Sequence, residues 1–443
     1  MSSAFDKIVG YQKEKDELVR ICDVLKRRTE YEKMGVQAPR GLMIEGDPGV
    51  GKTLMARCLI EEVGGFCVEL KKDRPKNEFI NRIKEVFLLA RQECARNDKN
   101  TVIVFMDDFD KFAGSKSDEM LKNQEEFAVV QSEIESVSEM PVFVLATVND
   151  KGLLPDSLKR QGRFDKRIAV DRPKYKDACK IIGHYLNDVA IDKDELNDEI
   201  VAKMVFSLPG ADIKSIVKEA GIYAVYDGRK AINMDDLARA TVRIRQGFDI
   251  KYAPDRPQAE LKRIAYHEAG HTAIALLSKS TEPTIVCLGE NKETTGITHT
   301  FETDCDLSDW QKSVEEGLIY LGGKAAEDIV FNDISLGCQY DIDSVEYSVH
   351  DMMTRGAALG FDYYDPFYTT NTHAPALYDK IGNKINEKLQ YYYDKSCEIL
   401  RQNRPLLDTL ANALLEKNYL TMIEMNRIFD NYKKEYNPTD IAL

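Results

Sequence analysis

Residues 41–53 read Gly41-Leu42-Met43-Ile44-Glu45-Gly46-Asp47-Pro48-Gly49-Val50-Gly51-Lys52-Thr53. An apolar run, Gly41–Glu45, enters the pattern G-x-x-x-x-G-K-[ST], and Leu54-Met55-Ala56 then opens a helical stretch. A strand before and a helix after are the context a phosphate-binding loop requires. The glycines let the backbone wrap phosphates with its N–H groups, and the helix N-terminus adds positive potential. Lys52 is expected to reach the β- and γ-phosphates of ATP, and the Thr53 hydroxyl to bind Mg2+. Gly46, Asp47, Pro48, Gly49, Val50, Gly51 and Leu54 complete the expected cradle.

Further along, the apolar run Val102–Met106 ends in Asp107-Asp108-Phe109-Asp110. A carboxylate at the end of a buried strand is where a phosphate-loop enzyme holds its magnesium and orients water. Asp107 is the metal-side candidate and Asp108 the water-orienting one. A third run, Val142–Ala146, leads to Thr147-Val148-Asn149, which places Asn149 beside the second carboxylate. Next come Arg160 and Arg163, three apart; a guanidinium inserted from a neighbour stabilises charge in phosphoryl transfer.

Helical patterns alternate with short β-rich runs over the first 168 or so residues. That alternation predicts a parallel sheet covered by helices on both faces, with strands at Gly41–Glu45, Phe66–Leu70, Val102–Met106, Pro141–Ala146 and Arg167–Val170. From Tyr175 to Gly247 the pattern turns helical: around Ala178–Leu186, after Gly210-Ala211-Asp212, and over Asn233–Ile244 with Asn233 as N-cap. Gly247–Pro257 reads as a linker, and a mostly α-helical region follows. The expected division is therefore an α/β nucleotide-binding domain at 1–170, a helical lid at 171–247, a linker at 248–258 and a second domain at 259–443. Leu377, Ile381, Ile385 and Leu389 form one helical stripe, which reads as a packing face.

The chain has 443 residues, 43% hydrophobic and 31% charged, the balance of a globular protein with a sizeable core. Its net charge of −14 argues against partners recognised through phosphate backbones or anionic lipid. Nine cysteines occur without a C-x-x-C pair, a pattern of reduced thiols in the cytoplasm and not of a disulfide framework. No apolar run approaches the ~18 residues of a membrane helix, and the first residues carry no signal-peptide stretch. The expectation is a cytoplasmic protein, with the question of a trimmed membrane anchor open.

Ala265-Tyr266-His267-Glu268-Ala269-Gly270-His271 carries H-E-x-x-H in a helical pattern. The i, i+4 spacing puts both imidazoles on one face, one turn apart, so that they can share one zinc ion. Glu268 lies between them and can take a proton from the attacking water. Only six histidines occur in the chain, so two at this spacing carry weight. Spacing alone leaves the third ligand open among His299, His350, His373, Asp304, Asp333, Asp341 and Asp343.

In this order the motifs resemble the FtsH family of AAA proteases over nearly the whole chain. The resemblance runs from Phe5-Asp6-Lys7-Ile8-Val9-Gly10 through the phosphate loop, the acidic strand end and Arg160–Asp165. It continues through Ile181-Ile182-Gly183-His184, Gly210-Ala211-Asp212 and the H-E-x-x-H stretch. Leu321-Gly322-Gly323-Lys324-Ala325-Ala326-Glu327-Asp328 and Gly337-Cys338-Gln339-Tyr340-Asp341-Ile342 follow. The resemblance implies an AAA ATPase domain with a helical lid, followed by a mostly α-helical zinc metallopeptidase domain. It implies His267, His271 and Asp341 as zinc ligands, Glu268 as general base, and Val9, Gly10, His184 and Ala211 around the nucleotide. It also implies Arg160 and Arg163 acting on the nucleotide of an adjacent subunit, hence a homohexamer that degrades protein or peptide substrates. Thr295-Gly296-Ile297-Thr298 falls where the family has an edge strand that pairs with extended substrate.

Three departures stand out. The family has Asp-Glu where this chain has Asp107-Asp108, and an aspartate is one methylene shorter. Thr147-Val148-Asn149 carries one residue more than the family's T-N spacing. Between Leu70 and Arg82 the family has an aromatic-hydrophobic-glycine loop that grips substrate, and this chain reads KKDRPKNEFIN, with Phe79-Ile80 as the candidate replacement. Three readings follow: an ATP-dependent zinc endopeptidase, a zinc peptidase on a nucleotide-stabilised ring that turns over ATP slowly, and a non-proteolytic AAA remodeller.

Overall fold

The computed structural model describes residues 3–73, 75–96, 101–113, 124–149, 164–192, 196–252, 254–290, 295–303, 308–356, 359–363 and 375–436. By internal contacts the chain divides into two compact units. One comprises Met1–Asp188 with Val205–Ser215, the other Val189–Met204 with Ile216–Leu443.

The first unit is built on five parallel strands: β1 Gly41–Glu45, β2 Cys67–Leu70, β3 Val102–Met106, β4 Val142–Val148 and β5 Lys166–Ala169. Their order across the sheet is β2-β3-β4-β1-β5. β3 and β4 are buried at every position and, apart from Thr147, apolar without alternation, as strands covered on both faces must be. The fourth strand extends to Val148, two residues beyond the sequence expectation, so Asn149 is the first residue to leave the sheet. Because β3, β4 and β1 are neighbours, the acidic turn, Asn149 and the phosphate loop all emerge at one carboxyl edge. Open α/β sheets bind ligands in that crevice.

Phe79 corrects the sequence reading. It lies on the helix Lys76–Arg96 and is fully buried in one apolar cluster with Ile83, Val86, Phe87 and Ala90. The spacing of these residues is the inward stripe of an amphipathic helix. Exposing Phe79 to grip a polypeptide would open the core, which leaves the half-buried Ile80 as the accessible member of the candidate pair.

The second unit contains the helices Met234–Gln246, Gln258–Leu277, Asp309–Phe331, Gln339–Thr354, Pro375–Gln402, Arg404–Lys417 and Met422–Glu435. Asn233 caps its helix as expected: its side chain accepts from the Asp236 N–H, and Asp236 returns the bond to the Asn233 N–H. Ile381 and Ile385 are buried in the core, with Leu377 and Leu389 packed against it, so that stripe is a packing face. Among the described residues the unit also has three antiparallel strands: β6 Thr281–Leu288, β7 Gly296–Glu302 and β8 Tyr419–Thr421, in the order β7-β6-β8. β7 is an edge.

The helix Gln258–Leu277 runs through the middle of this unit, buried around most of its circumference. Small residues make that possible. A Cβ on Gly270 would sit 2.3 Å from the Gly322 carbonyl oxygen of the helix Asp309–Phe331, so the two backbones cross almost in contact. No helix among the described residues is long and apolar enough to cross a membrane.

Candidate functional site

At the carboxyl edge of the parallel sheet, the loop after β1 turns tightly. A Cβ on Gly46 would stand 2.0 Å from the Val170 carbonyl oxygen, so only glycine fits. Lys52, the first residue of the helix Lys52–Val63, is buried and donates from Nζ to the carbonyls of Gly46 (2.8 Å) and Asp47 (2.7 Å). Pro48 and Gly49 are exposed at the loop tip, Val50 is buried beneath it, and Leu54 faces outward. Arg172 holds the Asp47 carboxylate at 2.8 Å. The Ala211 N–H donates to the Gly49 carbonyl at 3.0 Å, fastening the start of the helix Gly210–Tyr226 to the loop.

The acidic turn meets this loop. Asp107 Oδ1 accepts from Thr53 Oγ1 (2.9 Å) and from Thr147 Oγ1 (2.7 Å). Thr53 and Asp107 thus present adjacent oxygens, the pair a hard divalent cation takes. Asp108 Oδ1 accepts from Asn149 Nδ2 at 3.0 Å. The segment ending in Val9-Gly10 is pinned to the helix Tyr175–Asn187, where the Tyr11 N–H donates to Asp177 Oδ1 at 3.1 Å; His184 lies exposed on that helix. Arg160 and Arg163 lie outside the described residues.

In the second unit, His267 and His271 project from one face of the helix Gln258–Leu277. Asp341, in the first turn of the helix Gln339–Thr354, meets both: its Oδ2 is 3.3 Å from His267 Nε2 and 3.5 Å from His271 Nε2. These three form the one potential metal cluster among the described residues, their ligand atoms all within 4.8 Å of one another. Of the alternatives left open by spacing, Asp333 pairs with Arg263, and Asp343 and His350 lie farther along the Asp341 helix. His299 lies on β7 with its imidazole pushed down to about 4, mainly by burial. Asp304 and His373 lie outside the described residues.

Residues that spacing did not assign orient the cluster. His267 Nδ1 lies 2.8 Å from Glu327 Oε1, and His271 Nδ1 lies 2.7 Å from the Ile319 carbonyl oxygen. Each Nδ1 therefore carries a proton as donor, which leaves each Nε2, the nitrogen facing Asp341, as the metal-side atom. Glu327 also accepts from the Ser335 N–H (2.8 Å) and Oγ (2.9 Å) and pairs with Arg263. Gly323 opens the space. A Cβ there would lie 2.5 Å from the Nε2 atoms of both histidines. The signal was Glu327 four residues after Gly323, hence on the same helix face.

Electrostatics favour a cation at this point. Burial would push the His267 imidazole down, but hydrogen bonds to Asp341 and Glu327 outweigh it and hold it up to about 10. Burial would likewise raise the Asp341 carboxyl, but the two histidines hold it well below the usual range. A proton on Nε2 and a zinc ion occupy the same lone pair, so the carboxylates that favour one favour the other. Two imidazole nitrogens and one carboxylate oxygen match the three-ligand donor set of catalytic zinc. Glu268 is buried, and burial raises its carboxyl above the ordinary value against the pull of both histidines. Thr298 Oγ1 on β7 donates to Glu268 Oε2 at 2.7 Å and fixes it beside the cluster.

A nucleotide loop on a parallel sheet and a His-His-Asp centre on a helical unit define an AAA ATPase module joined to a metallopeptidase module. The pattern of the "ATPase family associated with various cellular activities (AAA)" matches residues 42–172, and that of "Peptidase family M41" matches residues 256–428. The "ATP-dependent zinc metalloprotease FtsH" of Clostridium perfringens is 29% identical over 97% of this chain and 62% of its own length. The proteins of the same name from Thermobaculum terrenum and Thermotoga maritima are each 28% identical, over 98% and 96% of this chain and 70% and 72% of their own lengths. The chain belongs to the FtsH family of AAA zinc metalloproteases. It spans about three fifths of the length of the Clostridium relative.

Proposed function

We propose that this chain is an ATP-dependent zinc endopeptidase that unfolds and cleaves proteins or peptides as a homohexamer in the cytoplasm, without a nucleic-acid partner. The observation that carries the reading is the convergence of His267, His271 and Asp341 beside a buried Glu268. The nucleotide module supports the ATP-dependent half, with ATP on residues 46–54 and Mg2+ at Thr53 and Asp107. Val9, Gly10, His184 and Ala211 surround the nucleotide in this reading. Arg160 and Arg163 reach a neighbour's nucleotide, and residues 171–247 act as the lid.

When bound, zinc polarises the scissile carbonyl and lowers the pKa of a water to about 7. His267, His271 and Asp341 hold the ion. Glu268, steadied by Thr298, accepts the proton of the attacking water on its carboxylate and hands it to the departing amine. The edge of β7 offers its backbone to an extended substrate, so that main-chain hydrogen bonds supply affinity with little sequence preference.

Casein degradation tests this in three conditions: with ATP, with a non-hydrolysable analogue, and with ATP plus a zinc chelator. Cleavage is expected in the first condition only. Equal cleavage by Glu268→Gln would refute the peptidase assignment. A second reading, a zinc peptidase on a slow motor, is favoured by the burial of Phe79 and by the shorter Asp108. A large gain in ATPase rate in Asp108→Glu supports it; equal and brisk rates remove it.

A further inference from the structure

Asp108 occupies a turn in the left-handed region, with φ of 52°, where non-glycine residues are uncommon. Its backbone N–H donates to Thr147 Oγ1 at 2.9 Å, which anchors the turn. Both carboxylate oxygens are engaged: Oδ1 by Asn149 Nδ2 at 3.0 Å, and Oδ2 by Lys111 Nζ at 2.5 Å. Lys111 is itself held. Its N–H donates to the Asp108 carbonyl at 3.0 Å, and its own carbonyl accepts from Lys72 Nζ at 3.3 Å. Lys72 follows β2 and pairs at 2.9 Å with Glu126, a carboxylate only 1% exposed.

A carboxylate that orients an attacking water must accept a hydrogen bond from it through an accessible oxygen. Here an ammonium group lies against the oxygen not bonded to Asn149, on a side chain already one methylene short. We propose that Lys111 is a positioning residue that holds Asp108 off the attacking water and slows ATP hydrolysis, and that Lys72 ties this restraint to the segment after β2. The inference rests on the ATP-site reading above. Movement of residues 71–73 then reaches Asp108 through the Lys111 backbone. Lys111 is largely exposed, and exposed ion pairs are weak and screened by salt, so the restraint amounts to a few-fold in rate.

The test is steady-state ATP turnover by the full chain at rising potassium chloride, for wild type, Lys111→Ala and Lys111→Arg, alongside binding of a fluorescent ATP analogue. Lys111→Ala is expected to raise kcat about 2–5-fold with KM for ATP unchanged, and Lys111→Arg to stay near wild type. Wild-type kcat at saturating ATP is expected to climb with salt, and that of Lys111→Ala to stay flat. An unchanged or lower kcat in folded Lys111→Ala overturns the inference. Should that variant not fold, a flat salt response of the wild type overturns it instead. If the wild type binds the analogue and only the rate predictions fail, the ATP site stands and the Lys111 restraint falls. If the wild type binds no analogue, both fall.

Discussion

His267 Nδ1 stands 2.8 Å from Glu327 Oε1, and that contact decides which nitrogen of the imidazole faces the metal position. Glu327 comes from a different helix and has no ligand role of its own. Replacing it with glutamine keeps the size but removes the charge that makes the imidazole a better donor. Glu327→Gln is expected to weaken zinc binding about 10–100-fold, read by competition with a chromogenic chelator. An unchanged affinity would separate Glu327 from the site.

Gly323→Ala tests the space beneath the imidazoles. The added methyl would lie 2.5 Å from both Nε2 atoms, closer than any real contact, so the rings or the helix must shift. Zinc content and casein cleavage are expected to fall together while far-UV circular dichroism stays that of wild type. A variant with full zinc would show that the helices part freely there.

Thr298→Val removes the hydroxyl that holds Glu268 Oε2 and keeps the β-branched shape. With one neutral hydrogen bond to a charged group lost, worth about 1.5–3 kcal/mol, peptide cleavage is expected to slow at least ~10-fold in kcat. Zinc content should not change. Slower cleavage with zinc lost would instead mark Thr298 as structural.

Glu315 gives a prediction about stability. Its carboxylate is fully buried, and one oxygen accepts from Ser278 Oγ, the Lys279 and Ser280 N–H groups and Ser280 Oγ. Burial alone would raise this carboxyl, but those donors bring it below the ordinary value. A carboxyl depressed by folding adds stability above its unfolded pKa of about 4.3, and that stability is lost as pH falls through the folded value. Glu315→Gln should therefore cost about 1–3 kcal/mol at neutral pH, with a deficit that shrinks below pH ~4. Urea unfolding at several pH values measures both. A deficit that grows on acidification would reverse the assignment.

The two motifs legible in the sequence are contiguous, since their residues share one loop or one helical turn and spacing alone brings them together. The sheet was legible for a similar reason. β3 and the Val142–Ala146 part of β4 are unbroken apolar runs, and the acidic residues follow β3 directly. Asp341 was not legible from spacing, because a fold and not a period carries it across from 70 residues away to meet His271. The resemblance to the family supplied it. Glu327 and Gly323 were quoted within a motif, but their chemistry depends on how two helices cross. Phe79 was misread because an aromatic in a charged stretch looks available; only its periodicity with Ile83, Val86 and Phe87 reveals an inward face.

The most direct measurement is elemental zinc per chain in wild type and in Asp341→Ala, both purified with zinc supplied. The account predicts close to one zinc in the wild type and little in the variant, because Asp341 closes the set begun by His267 and His271. Full zinc in Asp341→Ala, or none in the wild type, would contradict it.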